Sequence, residues 1–149
     1  MKMIIMRGKA GSYALPGEKP RDWPRGALDE VAASEFARLR GYDAKVLDIA
    51  GLSGGNSPQT RMALREIRSD DDVFALYGFS AGGYNAYWII KPLTAKERER
   101  LALVVVLGAP QESKNSFRGP WELIYRLDPP KAAGGHMGGP RALLARPFG

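Results

Sequence analysis

Asp72-Val73-Phe74-Ala75-Leu76-Tyr77-Gly78-Phe79-Ser80-Ala81-Gly82 runs from an apolar segment of strand length into a G-x-S-x-G pattern. Gly83-Tyr84-Asn85-Ala86-Tyr87-Trp88-Ile89-Ile90 follows and can continue as a helix. A serine at a sharp strand-to-helix turn is pushed out of the top of a sheet, and small residues around it permit the tight backbone path. The helix start behind it offers unpaired N–H groups and a positive dipole end that stabilise a developing oxyanion. Ser80 is therefore the candidate nucleophile, with Gly78 and Gly82 as the elbow glycines.

The chain holds a second match to the pattern, Gly51-Leu52-Ser53-Gly54-Gly55. The strand expected over 44–50 leads there into a loop that reaches a helix only at Ser57-Pro58, an N-cap and first-turn pair. Ser53 is thus expected in a connection, not at a turn.

Strand-like and helix-like segments alternate along the chain. Strands are expected over 3–6, 44–50, 73–77 and 101–107, the last apolar on both faces as a central parallel strand should be. Helices are expected over 29–40, 58–68, 81–90 and 94–100. The first places Val31, Phe36 and Leu39 on one side with Gly41 at its C-cap, and the last carries a Thr94…Glu97 capping box. Residues 121–127 alternate in the manner of an edge strand; Pro120 would equally open a helix, and the strand is preferred. Such alternation predicts one α/β domain over residues 1–149, a three-layer sandwich with a mostly parallel sheet of about five strands. Functional loops are then expected at the carboxyl ends of the strands.

The 149 residues, 44% hydrophobic, suffice for a real core. With no cysteine there is no disulfide, thiolate metal site or cysteine nucleophile, and neither a metal nor an organic cofactor is expected. The apolar run in residues 1–7 is too short for a signal-peptide core, no segment reaches membrane-spanning length, and a cytoplasmic location is expected. The net charge of +6 divides as +2 over 1–30, 0 over 31–113 and +4 over 114–149. No basic stripe with interleaved aromatics accompanies it, so no nucleic-acid partner is expected, and the charge is read as favouring solubility.

A serine hydroxyl needs a base, and the one histidine is His136, flanked by Gly134-Gly135 and Gly138-Gly139. Asp128, directly after the 121–127 segment, is the candidate orienting carboxylate, with Glu112 as the alternative acid. The order Ser80, Asp128, His136 matches that of hydrolases carrying the elbow. The oxyanion donors are assigned to the amides of Ala81 and Lys9, the latter in the loop Arg7-Gly8-Lys9-Ala10-Gly11. Arg7, Gly8 and Phe79 border the same place and are expected to contact substrate.

These features resemble the α/β-hydrolase superfamily, in a compact, cap-less form similar to cutinases and phage lysin-type esterases. The resemblance rests on Arg7–Gly11, like the family's H-G-x-x-G; on residues 48–58, like its D-x-x-G-x-G-x-S loop; on the elbow; and on Gly135-His136. Arginine stands at position 7 where the family has histidine. The resemblance implies a serine esterase or thioesterase working through a Ser-His-Asp triad and an acyl-enzyme. An open site suits a small-molecule or lipid-like acyl substrate, and Arg7, Lys9, Lys19, Arg21 and Arg25 would admit an anionic group on it. Two alternatives stand beside this: a non-catalytic α/β domain binding an anionic ligand or partner, and an acyltransferase using the same triad.

Overall fold

The chain is described by a computed structural model over residues 1–8, 24–49, 51–127 and 143. Three strands, β1 (Lys2–Met6), β3 (Phe74–Phe79) and β4 (Leu101–Leu107), are apolar almost throughout, and so occupy the middle of a sheet covered on both faces. The shorter β2 (Asp43–Val46) and β5 (Glu122–Arg126) expose more of their residues and form its edges. All five pair in parallel, in the order β2-β1-β3-β4-β5. Segment 121–127 is thus an edge strand, as its alternation predicts.

Side chains alternate between two cores. Ile4, Met6, Phe74, Leu76, Val104 and Val106 face α2 (Pro58–Arg68) and α3 (Ala81–Ile90), and pack on Ala63, Ile67, Ala86 and Ile89. Met3, Ile5, Ala75, Tyr77, Leu103 and Val105 face α1 (Pro24–Leu39), and pack on Ala33, Phe36 and Ala37. Burying one such large apolar side chain contributes roughly 1.5–3 kcal/mol, so helices on both faces of this sheet are what its sequence demands.

Two expectations for α1 need correction. It begins at Pro24, not residue 29, which suits proline's fixed φ in a first helical turn. Its inward stripe is Ala32, Ala33, Phe36 and Ala37, whereas Val31 and Leu39 are exposed. Alanines let the helix approach the sheet closely around the single large ring of Phe36, which meets Tyr77 edge-on at 5.7 Å.

The remaining boundaries follow local chemistry. Ser57 caps α2 by accepting from the Thr60 N–H, with Pro58 in the first turn. Thr94 and Glu97 form the expected capping box of α4 (Ala95–Arg100). From β4 to β5 the chain crosses without an α-helix, through a 3₁₀ turn at Lys114–Phe117. Phe117 and Trp121 bury themselves against the α3-side core, and the Trp121 Nε1–H donates to the Phe117 carbonyl at 2.8 Å. At the amino end of the sheet the Lys2 ammonium, 4% exposed, pairs with Glu66 (3.4 Å) and Asp70 (3.0 Å). Asp70 lies in the Asp70-Asp71-Asp72 turn, so this acidic run sits at the far end from the elbow.

Because α1 and α2 lie on opposite faces, the connections reverse direction between β1 and β3. In open α/β sheets this switch point leaves a crevice outside the carboxyl ends of the strands. Gly8 follows β1 and Ser80 follows β3, so both stand at that crevice.

Candidate active site

Ser80 has φ +56° and ψ −119° and is the one non-glycine residue with positive φ among the described residues. Such a backbone costs about 1–3 kcal/mol and persists where its surroundings dictate it. Here they do. A Cβ on Gly78 would lie 2.6 Å from the Gly83 Cα and closer still to the Gly82 carbonyl. One on Gly82 would lie 2.6 Å from the Arg7 carbonyl and closer still to that of Met6. Both elbow glycines are therefore places where backbone meets backbone. The Ser80 N–H donates to the Leu107 carbonyl at 2.8 Å, tying the turn to β4, and its own carbonyl receives the Tyr84 N–H at 3.1 Å. Its hydroxyl makes no capping bond to α3, and the residue is partly exposed.

Ala81 is the first residue of α3, so its N–H has no acceptor within the helix. Opposite, Gly8 presses against the serine: a Cβ there would stand 3.0 Å from the Ser80 Cβ. The Phe79 side chain is buried in the α1-side core, close beneath Gly8. Arg7 is largely buried, and its guanidinium pairs with Glu30 and, at 3.0 Å, with Asp48. Its charge is thus directed onto two carboxylates at the end of β1. Lys9, Asp128 and His136 lie outside the described residues. Leu127, which precedes Asp128, leaves β5 at the same end of the sheet as Ser80.

The alternative acid, Glu112, is already engaged. Its carboxylate accepts from the Ser116 hydroxyl at 2.9 Å, and its carbonyl from the Tyr125 hydroxyl at 2.9 Å. Burial pushes the Tyr125 phenol above its ordinary value. Ser53 is exposed in the loop between β2 and α2, away from any helix start, as expected. Tyr84 belongs to an aromatic cluster with Tyr87 (6.5 Å) and Trp88 (6.2 Å) on α3, whereas Trp121 is a core residue.

A buried amide network is legible only in three dimensions. Asn85 and Gln59 are both fully buried. The Asn85 amide donates to the Leu52 carbonyl (2.9 Å) and to Gln59 Oε1 (2.9 Å), and its oxygen accepts from the Gly54 N–H (3.0 Å). Gln59 Nε2 donates to the carbonyls of Arg7 (3.1 Å) and Ile49 (3.3 Å). Nearby, the Gly51 N–H donates to the Gly8 carbonyl at 3.4 Å, and a Cβ on Gly51 would crowd the Arg7 carbonyl carbon at 3.2 Å. The only linear signal for this was an amide inside the otherwise apolar and aromatic run of α3.

Elsewhere, an open groove of about 560 Å³ is lined by Lys114, Arg118, Gly119, Trp121 and Leu123, beside the amino end of β5. Among the described residues, neither Lys114 nor Arg118 pairs with a carboxylate. Also among the described residues, no cluster of three or more metal-ligating side chains occurs, and no helix is long and apolar enough to cross a membrane. Comparison with protein-family models, with curated proteins and with solved structures found no match.

Proposed function

We propose that this chain is a serine hydrolase with a minimal α/β-hydrolase fold, cleaving a carboxylic ester or thioester through an acyl-enzyme on Ser80. The observation that carries this reading is the positive-φ backbone of Ser80, held at a strand–turn–helix junction by Gly8, Gly78 and Gly82. Strain at a partly exposed serine, at the switch-point crevice, is what a nucleophile elbow requires.

Ser80 Oγ attacks the acyl carbonyl carbon, and His136 accepts the Oγ proton and returns it to the departing alcohol or thiol. Asp128 holds the imidazole in the required tautomer. The Ala81 amide and that of Lys9 receive the oxyanion, a pair in which each donor is worth roughly 3 kcal/mol of transition-state stabilisation. Water then attacks the acyl-enzyme, releases the acid and restores the serine. Gly8 and Phe79 shape the floor beside the nucleophile. Arg7 acts by fixing the end of β1 through Asp48 and Glu30 rather than by meeting an anion directly.

Labelling of the purified chain by a fluorophosphonate probe tests this. The wild type and Ser53→Ala are expected to label, and Ser80→Ala and His136→Ala to lose the signal. A well-folded wild type that takes no probe would overturn the proposal.

One observation favours a second reading, in which the domain binds an anionic ligand without catalysis. Among the described residues, no carboxylate pairs with Lys114 or Arg118 in the groove beside Trp121. An unlabelled wild type whose Trp121 fluorescence responds to inorganic phosphate, with the response lost in Lys114→Ala/Arg118→Ala, would establish that reading instead.

A further inference from the structure

We infer that Gln59 and Asn85 are positioning residues that hold the loops after β1 and β2 in register with the nucleophile helix, and so set the oxyanion site. This rests on the hydrolase reading.

Neither residue takes part in the bond making and breaking set out above. Both are fully buried amides, an expensive placement unless every polar atom is used. The atoms are used in a telling way: four of the five bonds go to loop backbone, at Arg7, Ile49, Leu52 and Gly54, and the fifth joins the two amides. Asn85 lies one helical turn after Ala81 on α3, and Gln59 stands in the first turn of α2. The pair therefore links three things: the helix that begins at the nucleophile, the last residue before Gly8, and the loop whose Gly51 N–H holds the Gly8 carbonyl. That carbonyl is one end of the peptide whose other end is the proposed Lys9 donor.

The consequence is mechanical. An amide plane is rigid, so fixing the carbonyls of Arg7 and Gly8 fixes the directions of the N–H groups that share those peptides. Misplacement by about 1 Å at a reacting centre costs on the order of a hundredfold in rate. An apolar pair at 59 and 85 would pack the helices equally well, but it would leave four loop groups unpaired and the loop free to drift.

The test combines two readouts on the full chain. Gln59→Glu replaces the donor facing two carbonyls with an acceptor. Asn85→Asp keeps the acceptor for the Gly54 N–H while losing both donors, and covers the case in which Gln59→Glu does not fold. Lys2→Met, at the opposite end of the sheet, controls for loss of stability alone. The expected result is a ten- to hundredfold fall in the maximal fluorophosphonate labelling rate, at little-changed half-saturating probe concentration, with Lys2→Met labelling as wild type. Hydrogen exchange should show lost protection at the amides of Gly51 and Gly54. Folded variants that label at the wild-type rate overturn the inference while leaving the hydrolase reading intact. A wild type that takes no probe overturns that reading first, and the inference with it.

Discussion

Ser80 is held in a conformation that glycine would adopt freely, and this makes the strain measurable. Ser80→Gly removes roughly 1–3 kcal/mol of backbone strain against about 0.5–1 kcal/mol of added unfolded-state entropy. The variant should be more stable by about 1 kcal/mol, raising Tm by about 2–4 °C for a chain of this size, with labelling abolished. A lower Tm would mean that the surroundings do not dictate the φ of +56°. The glycines are the converse case. Gly82→Ala would drive a methyl group into the carbonyls of Met6 and Arg7. Overpacking a rigid site costs typically 1–3 kcal/mol, and thermal unfolding of Gly82→Ala should show at least that loss, together with loss of labelling. At this scale the sequence was readable where backbone geometry is encoded by residue type: a serine between glycines after a strand. It was unreadable for Gln59 and Asn85, because a buried amide and a surface amide are the same letter until the partners are known. The sequence conveys only the charge of Arg7, and the fold shows that charge meeting Asp48 and Glu30.

Among the elements, those with chemical punctuation were legible to the residue. Ser57-Pro58 opens α2, and the Gly-rich elbow opens α3. Helix α1 departs from its expected form, because small residues make the contact and the conspicuous apolar Val31 and Leu39 face outward, and β2 ends at Val46 instead of continuing to residue 50. Helix α4 carries a pH signature. The Arg68 guanidinium, followed by the Thr94 N–H, pulls the Glu97 carboxyl from its ordinary 4.5 to about 2. A carboxylate with a depressed folded value stabilises the fold above its unfolded pKa, and that contribution is lost as pH falls from about 4.5 towards 2. Glu97→Gln should therefore flatten the decline of Tm between those pH values, while lowering Tm at pH 7. An acid limb that matches the wild type would show that the pair adds nothing, as exposed pairs often do.

For the molecule as a whole, alternation of strands and helices sufficed to predict a parallel, three-layer architecture. Strand order did not follow from it, because pairing of β1 with β3 depends on contacts far apart in the chain. The outermost strand depends on an unusual support, the aromatic plug of Phe117 and Trp121 in place of a crossover helix. Phe117→Ala should cost about 3–5 kcal/mol, as large-to-small changes of buried aromatics do. Denaturant unfolding should remain a single transition if β5 is integral to the sheet; a separate early transition would mark the edge as an independent unit.

The meeting of Gly8, Gly51, Gly78 and Gly82 at the switch point also bears on how such a chain could change over time. Where main chains touch with no room for a methyl group, neither residue type nor loop length has freedom to vary. A library randomised at Gly51, Gly78 and Gly82, where an added Cβ would overlap backbone atoms, should return glycine at each. New specificities would instead have to arise through exposed residues such as Leu52, Ser53, Asn56, Pro110 and Gln111, whose replacement leaves the inner turns untouched. The molecule is thus divided into a frozen hinge of backbone and an outer rim open to innovation.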